Sequence, residues 1–173
     1  MEAFSTRWSR GESPSFEQLA SRDILSFEVH LYLARCQRLD GKLADAIREY
    51  EAAAVIYDGY SMLHLEHGRA LLASGSLEGA ASAFERSLAL APSLEAEVGL
   101  ATAARKLGDG PRAIAALRRA VALDPEDADS WNELGALLLQ REEVAPAIAA
   151  FERAVSLRPA DEIFCAISDS RVV

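Results

Sequence analysis

Three groups of residues have the types and spacing that could support chemistry. His64 and His67 stand three apart, so on a helix both imidazoles would face one metal ion. No third ligand follows at a useful distance, and His-Leu-Glu-His is not a zinc motif. Asp124, Glu126, Asp127 and Asp129 form an acidic cluster, but Pro125 interrupts it and the order of a calcium loop is missing. Carboxylates opening a helix are stabilised by its dipole, which accounts for this cluster and for Glu142-Glu143. No glycine-rich phosphate loop and no Ser/His/Asp or Cys/His arrangement occurs. The expectation is a protein without catalytic residues, bound metal or cofactor. The third group is cationic: Arg35, Arg69 and the Arg105-Lys106 pair recur about one regular interval apart.

The elements that must carry these residues are helical. Of 173 residues, half are apolar, only 7% are aromatic and 33 are alanine. Alanine favours helix and lets helix backbones approach closely. No window alternates strictly between apolar and polar residues, so no strand is expected. The formal net charge is −9 and the pI about 4.9, a balance that repels phosphate backbones and anionic membranes. Nucleic acid and membrane are therefore not expected partners. Cys36 and Cys165 form no short-spaced pair and read as reduced thiols. The N-terminus has no apolar run suited to a signal peptide, and no run approaches the ~18 apolar residues of a membrane span. A cytoplasmic location is the expectation.

One stretch sets the phase. Trp131, Leu134, Gly135 and Leu138 share a helical face, and Ala147, Phe151 and Ala154 share another after the polar break at Arg141. Pro159 closes the unit. Earlier copies run through Leu100-Ala101, Gly108, Ala113, Leu117 and Pro125, and through Gly68, Leu71, Gly75, Ala80, Phe84 and Pro92. The first runs through Leu33-Ala34, Gly41, Ala46, Tyr50 and Ala53. This pattern resembles the tetratricopeptide repeat, a pair of antiparallel helices in about 34 residues. His30, His64 and Glu97 stand where the last copy has Trp131, and the histidines there read as packed side chains.

The expected fold is an all-α, right-handed superhelical solenoid of four repeats, 27–60, 61–93, 94–127 and 128–161. Residues 1–14 are expected to form a flexible arm, 15–26 a short helix capped by Ser15, and 162–173 a capping helix with Ile163, Phe164 and Ile167 inward. Gly41, Gly75 and Gly108 should end first helices with positive φ. Pro111 and Pro146 suit the first turns of second helices, and Asp127 and Asp161 suit caps. Gly68 and Gly135, inside helices, should let a neighbouring element lie on bare backbone.

The resemblance implies that first helices line a concave groove. Opposite the packed face of each first helix lie Leu31, Tyr32 and Arg35 with Arg38 at the edge, then Leu65 and Arg69. Glu95, Val98, Gly99, Thr102 and Lys106 follow, with Arg105 at the edge, and Asn132 comes from the last copy. Such a surface would hold a peptide or helical segment of another protein, an acidic one if the cations act together. The carboxylate clamp of chaperone-binding relatives is absent, because its places hold Leu31, Arg35 and Glu66. A small secretion-type chaperone, the repeat part of a larger enzyme, and a scaffold self-associating through its last repeat are the alternatives.

Overall fold

The computed structural model describes residues 27–158. The arm at 1–14, the helix expected at 15–26, Asp161 and the capping helix expected at 162–173 lie outside the described residues. Among the described residues there are eight helices and no strand, an all-α helical-repeat fold. They fall into two compact units meeting at Asp58–Gly59.

The first unit contains α1 (Phe27–Leu39) and α2 (Leu43–Ile56), folded back on one another. Val29, Leu31 and Ala34 of α1 are buried, as are Ala46, Tyr50 and Ala53 of α2. Phe27 meets Tyr57 edge to face, with ring centroids 5.7 Å apart. The His30 ring nitrogen Nδ1 bonds Glu49 Oε2 at 2.6 Å across the helix pair.

The second unit contains three further pairs: α3 (Ser61–Ser74) with α4 (Leu77–Leu90), α5 (Leu94–Lys106) with α6 (Gly110–Leu123), and α7 (Ala128–Gln140) with α8 (Val144–Leu157). Of its first helices, α5 also packs on α4 and α7 on α6. One core runs through Leu65, Phe84, Leu100, Ile114, Leu117, Leu134 and Leu138, and the small area of alanine lets the helices close on it. The half-buried Trp131 packs on this core while its Nε1 donates to the Pro125 carbonyl at 3.1 Å.

Local chemistry explains the boundaries. Gly41, Gly75 and Gly108 have φ of 76°, 86° and 80°, the left-handed conformation that ends α1, α3 and α5. Ser93, Asp109 and Asp127 accept backbone N–H bonds from Ala96, Arg112 and Ser130 and so cap α5, α6 and α7. Pro111 sits at the start of α6, where no intrahelical donor is lost. Glu142 departs from the expectation that it opens a helix. It takes the place of the three turn glycines, with φ of 63°, and α8 begins two residues later.

The helix-interior glycines are explained by contact. A methyl group added at Gly135 would come within 2.9 Å of the Phe151 ring, and one at Gly68 within 2.8 Å of Phe84. Both rings belong to the second helix of the same pair, lying against backbone where a side chain would hold them off.

Gly135→Leu should therefore lower unfolding free energy by about 1–3 kcal/mol in urea denaturation. Glu142→Gly should raise it by roughly 0.5–1 kcal/mol, because glycine takes the left-handed turn without the Cβ penalty.

Candidate functional site

The second unit has a hollow of about 320 Å³ lined by Arg69, Leu72, Phe84, Leu94, Glu95, Val98, Gly99 and Asp127. Its walls come from first helices: Arg69 and Leu72 from α3, and Leu94, Glu95, Val98 and Gly99 from α5. The Phe84 ring of α4 lies beneath it and is itself fully buried. Gly68 admits the ring from one side and Gly99 from the other, where an added methyl would meet it at 2.6 Å. The lining is mainly apolar. Its charged groups are one guanidinium, Arg69, and two carboxylates, Glu95 and Asp127. Asp127 also caps α7 by accepting from the Ser130 N–H at 3.2 Å.

Of the residues expected in a groove, the hollow brings together Arg69, Glu95, Val98 and Gly99. Thr102 lies one turn beyond Val98 on α5, and its hydroxyl donates to the Val98 carbonyl at 2.9 Å. Arg105 and Lys106 are exposed at the C-terminal turn of α5, where they complement the helix dipole. Asn132 is exposed on α7. No carboxylate among the described residues pairs with Arg69, Arg105 or Lys106. In the first unit, Tyr32 is exposed, Arg35 and Arg38 are half-buried, and the Arg35 guanidinium lies 5.6 Å from the Tyr32 ring centroid.

One expectation needs correction. Leu31 and Leu65 are only 5% and 4% exposed, so they supply interior packing and leave almost no area for a ligand. Gly99 lines the hollow, and the same bare backbone seats Phe84. Leu72, Phe84, Leu94 and Asp127 line the hollow without being among the expected groove residues. The available signal was the unusual Val98-Gly99 pair, half a turn from the packed face of α5.

The most buried carboxylate belongs to Glu97, at the position Trp131 holds in the last pair. Arg119 of α6 grips it bidentately, Nε to Oε1 at 2.6 Å and Nη2 to Oε2 at 2.9 Å. That hydrogen bonding raises the Arg119 pKa above its ordinary value, and burial opposes it. The pair joins the two helices of one repeat and does not line the hollow. Among the described residues no group of three or more His, Cys, Asp or Glu side chains could hold a metal ion. His64 is buried in α3. No described helix is long and apolar enough to cross a membrane.

Paired helices, turn glycines and an apolar hollow walled by first helices define the class: a helical-repeat interaction scaffold. Residues 13–61 and 98–162, more than half of the chain, match the tetratricopeptide repeat family, and the chain belongs to it. The intervening α3–α4 pair carries the same turn glycine and the same ring on bare backbone.

Among known proteins, the chain is 28% identical over 153 residues to Protein FlbA of Caulobacter vibrioides. It spans about a quarter (26%) of that relative's length, and the alignment takes in 88% of the chain. A solved structure of MamA superposes with a TM-score of 0.73 at 26% identity, covering 76% of this chain and 72% of that one. YrrB, described as a TPR protein with an unusual peptide-binding site, superposes at 0.74 with 18% identity. That alignment covers 84% of this chain and 76% of YrrB, and it supports the fold alone.

Arg119→Leu should destabilise the chain by about 1–3 kcal/mol, because the Glu97 carboxylate, whose side chain is 6% exposed, loses its partner. Adding Glu97→Leu should recover most of that loss in the same urea titration.

Proposed function

We propose that the chain is a non-enzymatic scaffold that holds an extended or helical segment of another protein along the first-helix faces of the second unit. One apolar side chain of that segment would enter the hollow between Leu72, Leu94 and Val98. The observation that carries this reading is the hollow itself: half-exposed apolar walls from Leu72, Leu94 and Val98, with an unpaired guanidinium at the rim. Apolar area supplies affinity, and Arg69 gives a carboxylate of the ligand a charge-assisted partner. Thr102, Arg105, Lys106 and Asn132 extend the surface along α5 and α7, and Tyr32, Arg35 and Arg38 are the corresponding groups of the first unit. YrrB's peptide-binding site on a similar fold supports the reading. We take the repeats as 27–60, 61–93, 94–127 and 128–161 and the protein as cytoplasmic.

An acidic ligand follows from Arg69 with Arg105 and Lys106 further along α5. Glu95 and Asp127 on the same rim limit that preference to the ligand group nearest Arg69.

Selection of a random-peptide display library on the full chain should return sequences with a large apolar residue next to an acidic one. A synthetic peptide of that sequence should bind Arg69→Glu more weakly by about 1 kcal/mol or more, roughly fivefold, in calorimetric titration. Undiminished binding to both Arg69→Glu and Val98→Asp would remove the hollow as the binding surface.

A further inference from the structure

The charges around the hollow stand where its two first helices depart from the other copies of the repeat. Arg69 of α3 has Thr102 in α5 and Ala136 in α7 as its counterparts, and Gly99 of α5 has Glu66 in α3 and Glu133 in α7. The junction of α3 with α5 therefore combines a cation with bare backbone, and the junction of α5 with α7 has neither. Glu95 stands where α3 has Met62. Its carboxylate is not the cap of α5, because the Ser93 hydroxyl oxygen fills that role, accepting from the Ala96 N–H at 3.1 Å. Asp127 engages one oxygen, Oδ2, with the Ser130 N–H, which leaves Oδ1 for a further partner. Arg69 and Glu95 are both exposed on the rim of one hollow, yet among the described residues neither forms an ion pair. Opposite charges thus border one space without closing on each other.

Given the hollow as the binding surface, on which this inference rests, we propose that the segment it holds is of mixed charge. An apolar residue enters between Leu72, Leu94 and Val98, an acidic group on one side of it meets Arg69, and a basic group on the other side meets Glu95 and Asp127. The rim holds two carboxylates against one guanidinium, so its local charge is negative. An apolar side chain entering the hollow displaces water and lowers the local dielectric, which strengthens charge contacts of either sign. A wholly acidic segment satisfies Arg69 but sets further carboxylates against Glu95 and Asp127. A wholly basic segment satisfies those two and sets a cation against Arg69. A segment with one group of each sign compensates all three. The net charge of −9 attracts the basic part of such a segment from a distance, and Arg69 adds the acidic requirement at contact.

Calorimetric titration of the full chain at low ionic strength with four synthetic peptides tests the proposal. Each peptide has a central leucine between two short charged runs. Two peptides carry aspartate on one side and lysine on the other, in the two possible orders; the third carries aspartate on both sides and the fourth lysine on both. The tighter of the two mixed peptides should bind about fivefold better than either like-charged one. Arg69→Glu should make the all-lysine peptide the tightest. Glu95→Lys should remove the advantage of the mixed peptides over the all-aspartate one. Both side chains are exposed, so the helical circular dichroism of the two variants should match the wild type. An all-aspartate peptide that binds the wild type as tightly as the mixed ones, and is weakened when its leucine is exchanged for glycine, would overturn the mixed-charge ligand and leave the hollow standing as the binding surface. Binding that ignores the loss of the leucine, or no binding of any of the four, would overturn the hollow itself and the mixed-charge ligand with it.

Discussion

The structure depends on rings laid against helix backbone that carries no side chain. Phe151 lies on Gly135, and Phe84 lies between Gly68 and Gly99, with clearances that a single methyl would close to under 3 Å. A helix-interior glycine costs about 1 kcal/mol relative to alanine. The contact offsets it by bringing the axes close enough for alanines such as Ala80, Ala101, Ala104 and Ala113 to be fully or almost fully buried. Larger residues at the alanine positions would separate the helices, and smaller rings would leave voids. The aromatic, the glycine and the surrounding alanines are thus one constraint expressed at three kinds of position. The same contact underlies the hollow, where the buried Phe84 reaches through to the α5 side at Gly99.

The tryptophan position shows how loosely the rest of the repeat is tied. Trp131 fills it with a half-buried ring and a bond to the Pro125 carbonyl. Glu97 fills it with a carboxylate held by Arg119, and His30 with an imidazole bonded to Glu49. All three solutions make a polar bond to a neighbouring segment. A buried ion pair gains little net stability over apolar packing. Its contribution is directional: two parallel N–H···O bonds admit one relative placement of α5 and α6.

Much of the fold was legible because its signals are local. Turn glycines announce positive φ, proline and aspartate mark helix starts, and the Trp131–Pro159 stretch sets the phase, so the helix pairs can be read without tertiary information. The candidate site was less legible. Leu31 and Leu65 lie on the correct angular face of their helices yet are buried, since angle alone does not tell how closely a neighbour approaches. Glu142 was read from its charge, whereas its position in the turn decided its conformation.

The charge of the hollow follows from the same interplay of register and neighbour. A row of cations one repeat apart suggests a uniformly positive groove. A hollow between adjacent first helices instead samples position by position from both: Arg69 from α3, Glu95 from the start of α5, and Asp127 from the turn before α7. Residues at helix starts are acidic because they cap and meet the positive end of the dipole. A hollow bordered by such starts therefore acquires carboxylates for reasons of folding. A cation further along the neighbouring first helix then faces them, and the rim has two signs of charge. On the proposed reading, an apolar wall inside such a rim would discriminate by the order of charges on a ligand as well as by their sum. On that reading, an acidic chain of net charge −9 would in this way offer an acidic segment one favourable contact without becoming a general anion binder.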